Sequence, residues 1–274
     1  MSISISTLNY LCELKKNHDI QGNILTLGKQ MVFFDYDTLN RVLKEKDIPN
    51  CNVNKSCEFS QDFEHLKFVE PYSQYCNDKA VISSLFGVSP KVMDITDESY
   101  VDFRQDLNYK VGNCYEQKFS FILDAGTIEH IYDIRTALNN IDAMLVKGGL
   151  VVHITPAHGF LDHGYYQISP QLYYDFYSSR GYQIQHCYLA EMSVRKTNHS
   201  QQTFWHWDWS ISRKKLISEK MLLVYFCAKK ISNSVNNFEA PVQVFNDQIT
   251  NSNINNESIP WGLKKVANLQ PLNV

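Results

Sequence analysis

Apolar residues along this chain fall into short blocks, and the spacing within each block predicts an element. Residues 119–123 form an apolar run that ends on Asp124, the pattern of a buried strand whose carboxyl end carries a polar group. Asp133 then caps a stretch in which Ile134, Leu138, Ile141 and Leu145 recur at helical spacing. Lys147, Gly148 and Gly149 supply a C-terminal charge and a left-handed stop. Residues 150–154 are a second buried strand, closed by Thr155 and Pro156. Strand, helix and strand of these lengths make a right-handed βαβ unit, so both strands end on one edge. That edge carries Asp124, Gly126, Glu129, His130, His158, Asp162 and His163.

The flanks extend the same alternation. Leu8, Leu11 and Leu14 predict a short amphipathic helix within residues 1–19, lying against the domain. Residues 23–28 read as a first strand and its turn. Residues 32–69 are longer than an ordinary connection, with a helix starting near Asp37 and Thr38 and a break at Pro49 and Asn50. An insertion there is either a functional loop over the active edge or a surface excursion. Residues 71–86 predict the first major helix, stopped by Gly87. Residues 91–95 and 103–107 predict the second and third strands. Ser169 and Pro170 open a helix through Ser178 that Gly181 stops, and residues 182–191 and 221–228 are the sixth and seventh strands. The tryptophan-rich segment 204–209 either lines an acceptor pocket or covers an apolar face. Covering is favoured, because large aromatic side chains most often pack. Residues 231–274 are a polar tail, expected to dock through 241–245 and through Pro260 and Trp261.

Composition narrows the classes. At 274 residues, 44% hydrophobic and 13% aromatic, the chain has material for one α/β domain with insertions and a sizeable core. The net charge is −3 with both signs spread along the chain, and the absence of a basic block argues against a nucleic-acid partner. The seven cysteines are odd in number, scattered and never spaced C-x-x-C, so they read as reduced thiols of a cytoplasmic protein. No basic segment followed by an apolar one opens the sequence, and no run approaches a membrane span. The expectation is a cytoplasmic enzyme with a small-molecule partner and no membrane or nucleic-acid partner, its homo-oligomeric state open.

The runs LDAGTIEH (residues 123–130), LVKGGLVVHITP (145–156) and HGYYQISP (163–170) resemble the strand-four to strand-five region of class I S-adenosylmethionine (SAM) dependent methyltransferases. The likeness is greatest to a bacterial branch with the last of these segments after strand five. The resemblance spans residues 20–230. It implies an α/β fold with a seven-stranded, mostly parallel, doubly wound sheet and an antiparallel last strand, with SAM as cofactor. The family's first turn carries an acidic residue and three glycines, where this chain has Thr26, Gly28, Lys29 and Gln30, so only Gly28 survives. SAM has no phosphate and does not require a phosphate-cradling loop, so by resemblance the turn of Gly28, Lys29 and Gln30 is still expected to touch the cofactor, and the missing GxGxxG argues against a nicotinamide-binding domain. By resemblance, Asp94 with Ile95 meets the ribose hydroxyls, with Asp97 as a rival. Asp106, Leu107 and Asn108 meet the adenine edge, and Asp124 and Ala125 complete the cofactor-binding set. A carboxylate suits the ribose because it accepts from both hydroxyls at once.

Methyl transfer from a sulfonium needs alignment and, for a hydroxyl acceptor, removal of a proton. A neutral imidazole suits that task. His163, flanked by Asp162, is the first candidate, with His158 and His130 as rivals. Glu129 and His130 also resemble part of an E-x-x-E-H ligand set of some metal-dependent methyltransferases, but its first acidic position is Gly126 here, so no metal is expected. The activity implied is O-methylation of a small polar acceptor, such as a sugar or nucleotide-sugar, in bacterial glycan or secondary-metabolite biosynthesis. The alternatives are a SAM-fold protein that binds without catalysis and a metal-dependent O-methyltransferase.

Overall fold

The computed structural model describes residues 2–51, 75–192, 202–209, 219–232 and Leu269. In chain order the elements begin with β1 (Ser2–Ile3), α1 (Ile5–Asn17), β2 (Ile24–Leu27), β3 (Met31–Val32), α2 (Tyr36–Glu45), α3 (Asp78–Phe86), β4 (Lys91–Asp94) and β5 (Phe103–Arg104). The second half contains β6 (Phe119–Asp124), α4 (Ile134–Met144), β7 (Leu145–His158), α5 (Pro170–Ser178), β8 (Tyr182–Met192), β9 (Gln202–His206) and β10 (Leu222–Lys230). The main sheet has the order β5-β4-β2-β6-β7-β10-β8-β9, and β1 pairs separately with β3. Pairings from β5 across to β7 are parallel, and those of β10 and β9 are antiparallel. This is the mostly parallel, doubly wound α/β sheet with antiparallel end strands that was expected, with eight strands in place of seven.

Alternation along the strands divides the core into two layers. Phe121 and Leu123 of β6, and Leu223, Tyr225 and Cys227 of β10, pack with Leu8 and Leu11 of α1 and Val81 and Leu85 of α3. Ile122, Val224 and Phe226 face the other way, onto Leu138 and Ile141 of α4 and Tyr173 and Tyr177 of α5. Period two in the strands and helical spacing in the helices therefore meet on both faces. Each helix opens on a side-chain cap: Ser4, Asp35, Asn77, Asp133 and Ser169 each accept from a backbone N–H of the first turn. The helix α1 is more than a surface cover, since most of its residues are buried, and Thr7 hydrogen-bonds the Tyr225 hydroxyl at 3.0 Å.

Two expectations are corrected, the glycine stop of α4 and the length of the third strand, while the covering role favoured for the tryptophans is met. The helix α4 ends at Met144, because the carbonyls of Ala143 and Met144 accept from the N–H groups of Gln117 and Lys118 and need no glycine cap. Gly148, at φ 84°, instead lies in a register shift early in β7, between the Phe119–Leu145 and Phe121–Leu150 pairs. The third strand stops at Arg104, where an Asp106–Asn108 turn leads the chain away. The tryptophan-rich segment supplies β9, and Trp205, Trp207 and Trp209 pack against the core layer of α5 in the covering role. Residues 52–69 of the insertion and the expected docking segments of the tail lie outside the described residues, although Leu269 is buried. Among the described residues no helix is long and apolar enough to cross a membrane, and the six described cysteines are thiols outside any disulfide.

Candidate active site

The strand β2 is flanked by β4 on one side and β6 on the other, and the chain order runs outward from it to β5 and to β7. In open α/β sheets such a switch point opens a crevice outside the carboxyl ends of the strands. A cavity of about 370 Å³ lies there. Its lining comes from the ends of β2 (Gly28, Lys29, Gln30), β4 (Asp94, Ile95) and β5 (Asp106, Leu107, Asn108), and from Thr127, His130 and Ile131 after β6.

The turn after β2 is fixed from several sides. Gly28 has φ 70°, and a Cβ there would come 2.6 Å from Thr127 Oγ1, which itself donates to the Leu27 carbonyl at 2.5 Å. Only glycine fits that approach. Gln30 turns inward, and its amide donates to the carbonyls of Leu27 and Gly28 while its backbone N–H donates to Asp78. The Lys29 ammonium pairs with Glu98 at 2.9 Å. Gln30 therefore shapes the turn from within the protein, while Lys29 is held at its surface.

The carboxylate of Asp94 accepts from the N–H of Lys29 at 3.0 Å and of Thr96 at 3.1 Å. A carboxylate has about four acceptor positions, so two remain for a ligand diol. Oδ1 of Asp106 accepts from both the backbone and the side-chain amide of Asn108 at 2.9 Å, and Asn108 Oδ1 in turn accepts from Asp133 N–H. The expected rival, Asp97, is exposed and paired with Arg104.

Asp124 and Ala125 are outside the cavity lining. Ala125 is buried in the core. Asp124 and His153 are register partners on β6 and β7, and Asp124 Oδ2 lies 2.7 Å from His153 Nδ1. His153 Nε2 meets the Tyr177 hydroxyl at 2.6 Å, and its ring stacks on Tyr173. Asp124 Oδ1 accepts from the N–H groups of Thr127 and Ile128, which fixes the start of the loop that carries Glu129 and His130.

Of the three candidate histidines, two converge. The rings of His130 and His163 are 4.8 Å apart, and their Nε2 atoms lie 3.9 and 3.7 Å from Glu129 Oε1. His158 ends β7, paired in register with Leu222, outside that group. Burial lowers the pKa of both His130 and His163, and His163 adds to the effect on His130, so both rings are neutral near pH 7. Burial first, then the nearby Asp124 charge, pushes Glu129 up to about 8. The HGYYQISP segment does the positioning. The N–H groups of Tyr165 and Tyr166 donate to the Glu129 carbonyl at 2.7 and 3.3 Å, and Gly164 at φ 71° permits that approach.

The sequence reading did not single out Thr127, Ile131 or His153. Thr127 and Ile131 line the cavity without a residue-type signature. His153 sits in an apolar strand, and its polar character amid LVVHIT was the one available signal.

No family model and no curated protein matches the chain. Solved structures do match. One is 1,6-didemethyltoxoflavin-N1-methyltransferase of Burkholderia thailandensis, with S-adenosylhomocysteine bound, at 9% identity over 82% of this chain and 78% of that one, TM-score 0.42. A second is phosphoethanolamine N-methyltransferase 2 of Haemonchus contortus, also with S-adenosylhomocysteine, at 11% identity over 82% and 52%, TM-score 0.43. A third is a SAM-dependent methyltransferase of Aquifex aeolicus, at 11% identity over 78% and 87%, TM-score 0.36. At these values the likeness assigns neither activity nor substrate, and the reading below rests on the geometry of this chain.

Proposed function

We propose that the chain is a SAM-dependent methyltransferase acting on an oxygen of a small polar acceptor, with a sugar or nucleotide-sugar hydroxyl as the favoured class. The observation that carries this reading is the cavity at the switch point, where Gly28, Asp94 and Asp106 stand at three strand ends around one space. Asp94 suits a ribose diol through its two remaining acceptor positions. Asp106 and Asn108 suit the edge of an adenine, and the turn at Gly28 suits the methionine moiety. This orientation turns the sulfonium toward His130, the one member of the Glu129, His130 and His163 group that lines the cavity. The acceptor hydroxyl gives its proton to a neutral imidazole of that group, His163 or His130. Methyl transfer then forms the new carbon–oxygen bond as the sulfur–carbon bond breaks, releasing S-adenosylhomocysteine.

Titration calorimetry with S-adenosylhomocysteine tests the assignment. We expect micromolar affinity, about −8 kcal/mol, weakened by about 1.5–3 kcal/mol in Asp94→Ala through loss of charge-assisted hydrogen bonds. No heat at millimolar ligand, or unchanged affinity in Asp94→Ala, contradicts it.

A further inference from the structure

Beside the cavity three side chains point at one another without touching. Glu129 is fully buried, and neither of its carboxylate oxygens has a hydrogen-bond partner among the described residues. His163 Nε2 is buried and unpartnered in the same sense. A buried carboxylate without a partner is costly, and native proteins seldom keep one without a bound ion or water to meet it. The separations of 3.7 and 3.9 Å are too long for hydrogen bonds. They suit atoms that share an ion, since two ligands about 2.0–2.2 Å from one metal lie up to about 4.4 Å apart. One nitrogen or oxygen from each residue falls within a group spanning 4.8 Å, and small rotations of the two partly exposed imidazoles close it further.

The group is also held in place. Asp124 fixes the N–H groups of Thr127 and Ile128 on one side. On the other, the loop carrying His163 is fastened to the Glu129 carbonyl by Tyr165 N–H. A Cβ at Gly164 would come 2.9 Å from that same carbonyl oxygen.

We propose that Glu129, His130 and His163 form a binding site for a divalent transition-metal cation, with its remaining coordination positions facing the cavity. Two imidazoles and one carboxylate suit Mn²⁺, Fe²⁺ or Zn²⁺ better than Mg²⁺, which prefers a shell of oxygens. This replaces the expectation of a metal-free site, which rested on the missing carboxylate at Gly126. The third ligand comes from His163 instead. Its catalytic consequence rests on the methyltransferase reading. An acceptor hydroxyl on an open position is acidified by the cation, its proton passes to solvent, and the oxygen lone pair takes the methyl group from the sulfonium. His130 and His163 then act as ligands.

The test titrates Mn²⁺ and Zn²⁺ separately into the full, tag-free chain after dialysis against chelator, with no cofactor or acceptor present. We expect one saturable site per chain for at least one ion, with a raised Tm on binding. Glu129→Gln and His163→Ala should each weaken binding about 10-fold or more, and His158→Ala, outside the group, should leave it unchanged. His163 is partly exposed, so its variant gives a reading even if Glu129→Gln fails to fold. No saturable binding of either ion at millimolar concentration, or binding that survives His163→Ala, overturns the site. The titration contains no SAM, so its outcome is independent of the calorimetry with S-adenosylhomocysteine.

Discussion

Two carboxylate–imidazole groups stand near the ends of β6 and β7, and they differ in how their polar atoms are satisfied. In the first, Asp124, His153 and Tyr177 are fully buried and joined at 2.7 and 2.6 Å, and both Asp124 oxygens have partners. In the second, Glu129 is just as buried, but its imidazoles stand off at 3.7 and 3.9 Å and keep 37% and 45% of their side-chain surface exposed. Burial of the carboxylate does not separate the two groups. Satisfaction does: the closed group locks the strand ends and the loop start, and the open one faces a cavity.

Breaking the closed group should have the largest effect. Asp124→Ala removes the partner of His153 Nδ1 and of two backbone N–H groups in the interior, and we expect a loss of about 3–5 kcal/mol in urea unfolding. A loss below 1 kcal/mol would remove the distinction between the groups.

A fourth imidazole shows what burial does when the hydrogen-bond partner is a tyrosine and no carboxylate. His186 bonds the Tyr10 hydroxyl at 2.8 Å and stacks on Tyr188, and burial first, then His18 and His206, lowers its pKa to about 3. The unfolded chain takes up this proton below its ordinary value of 6.5, whereas the folded chain does not until about pH 3. This contribution to stability is therefore complete above pH 6.5 and lost as pH falls toward 3, at no more than about 1.4 kcal/mol per pH unit. The fall of Tm between pH 7 and 5 should be shallower in His186→Gln than in the native chain. Equal slopes would show that other groups set the acid limb.

Gly164→Ala tests the fastening of the open group. Its positive φ and the approach to the Glu129 carbonyl predict a cost of about 1–3 kcal/mol by chemical denaturation. The smallest effect belongs to Glu129→Gln in the metal-free protein. It strands no hydrogen-bond partner among the described residues, so we expect a change within about 1 kcal/mol. A loss equal to that of Asp124→Ala would mean that Glu129 is structural after all.

The central βαβ unit was legible because its periodicities and caps are local: Asp133 and Ser169 begin helices where the sequence places them. Eight of the ten cofactor-binding candidates line the cavity, namely Gly28, Lys29, Gln30, Asp94, Ile95, Asp106, Leu107 and Asn108, because strand ends fix such positions. Asp124 and Ala125 do not. The partner of Asp124 lies 29 residues away on the next strand, and only the register between β6 and β7 reveals it. The sequence ranked His163 ahead of His158 on its neighbour Asp162 but could not place either ring. The turn between them takes one to the strand end and the other back over Glu129. The strand β9 was hidden for a similar reason, since its pairing with β8 comes from tertiary context and its tryptophans read as cover.

The most direct test of the account is a crystal structure of the protein with S-adenosylhomocysteine. We predict the ligand in the switch-point cavity, with its ribose hydroxyls on Asp94, its adenine beside Asp106 and Asn108, and its sulfur toward His130. Ligand bound elsewhere, or turned so that its sulfur points away from Glu129, His130 and His163, would contradict the assignment of both the cofactor site and the acceptor side.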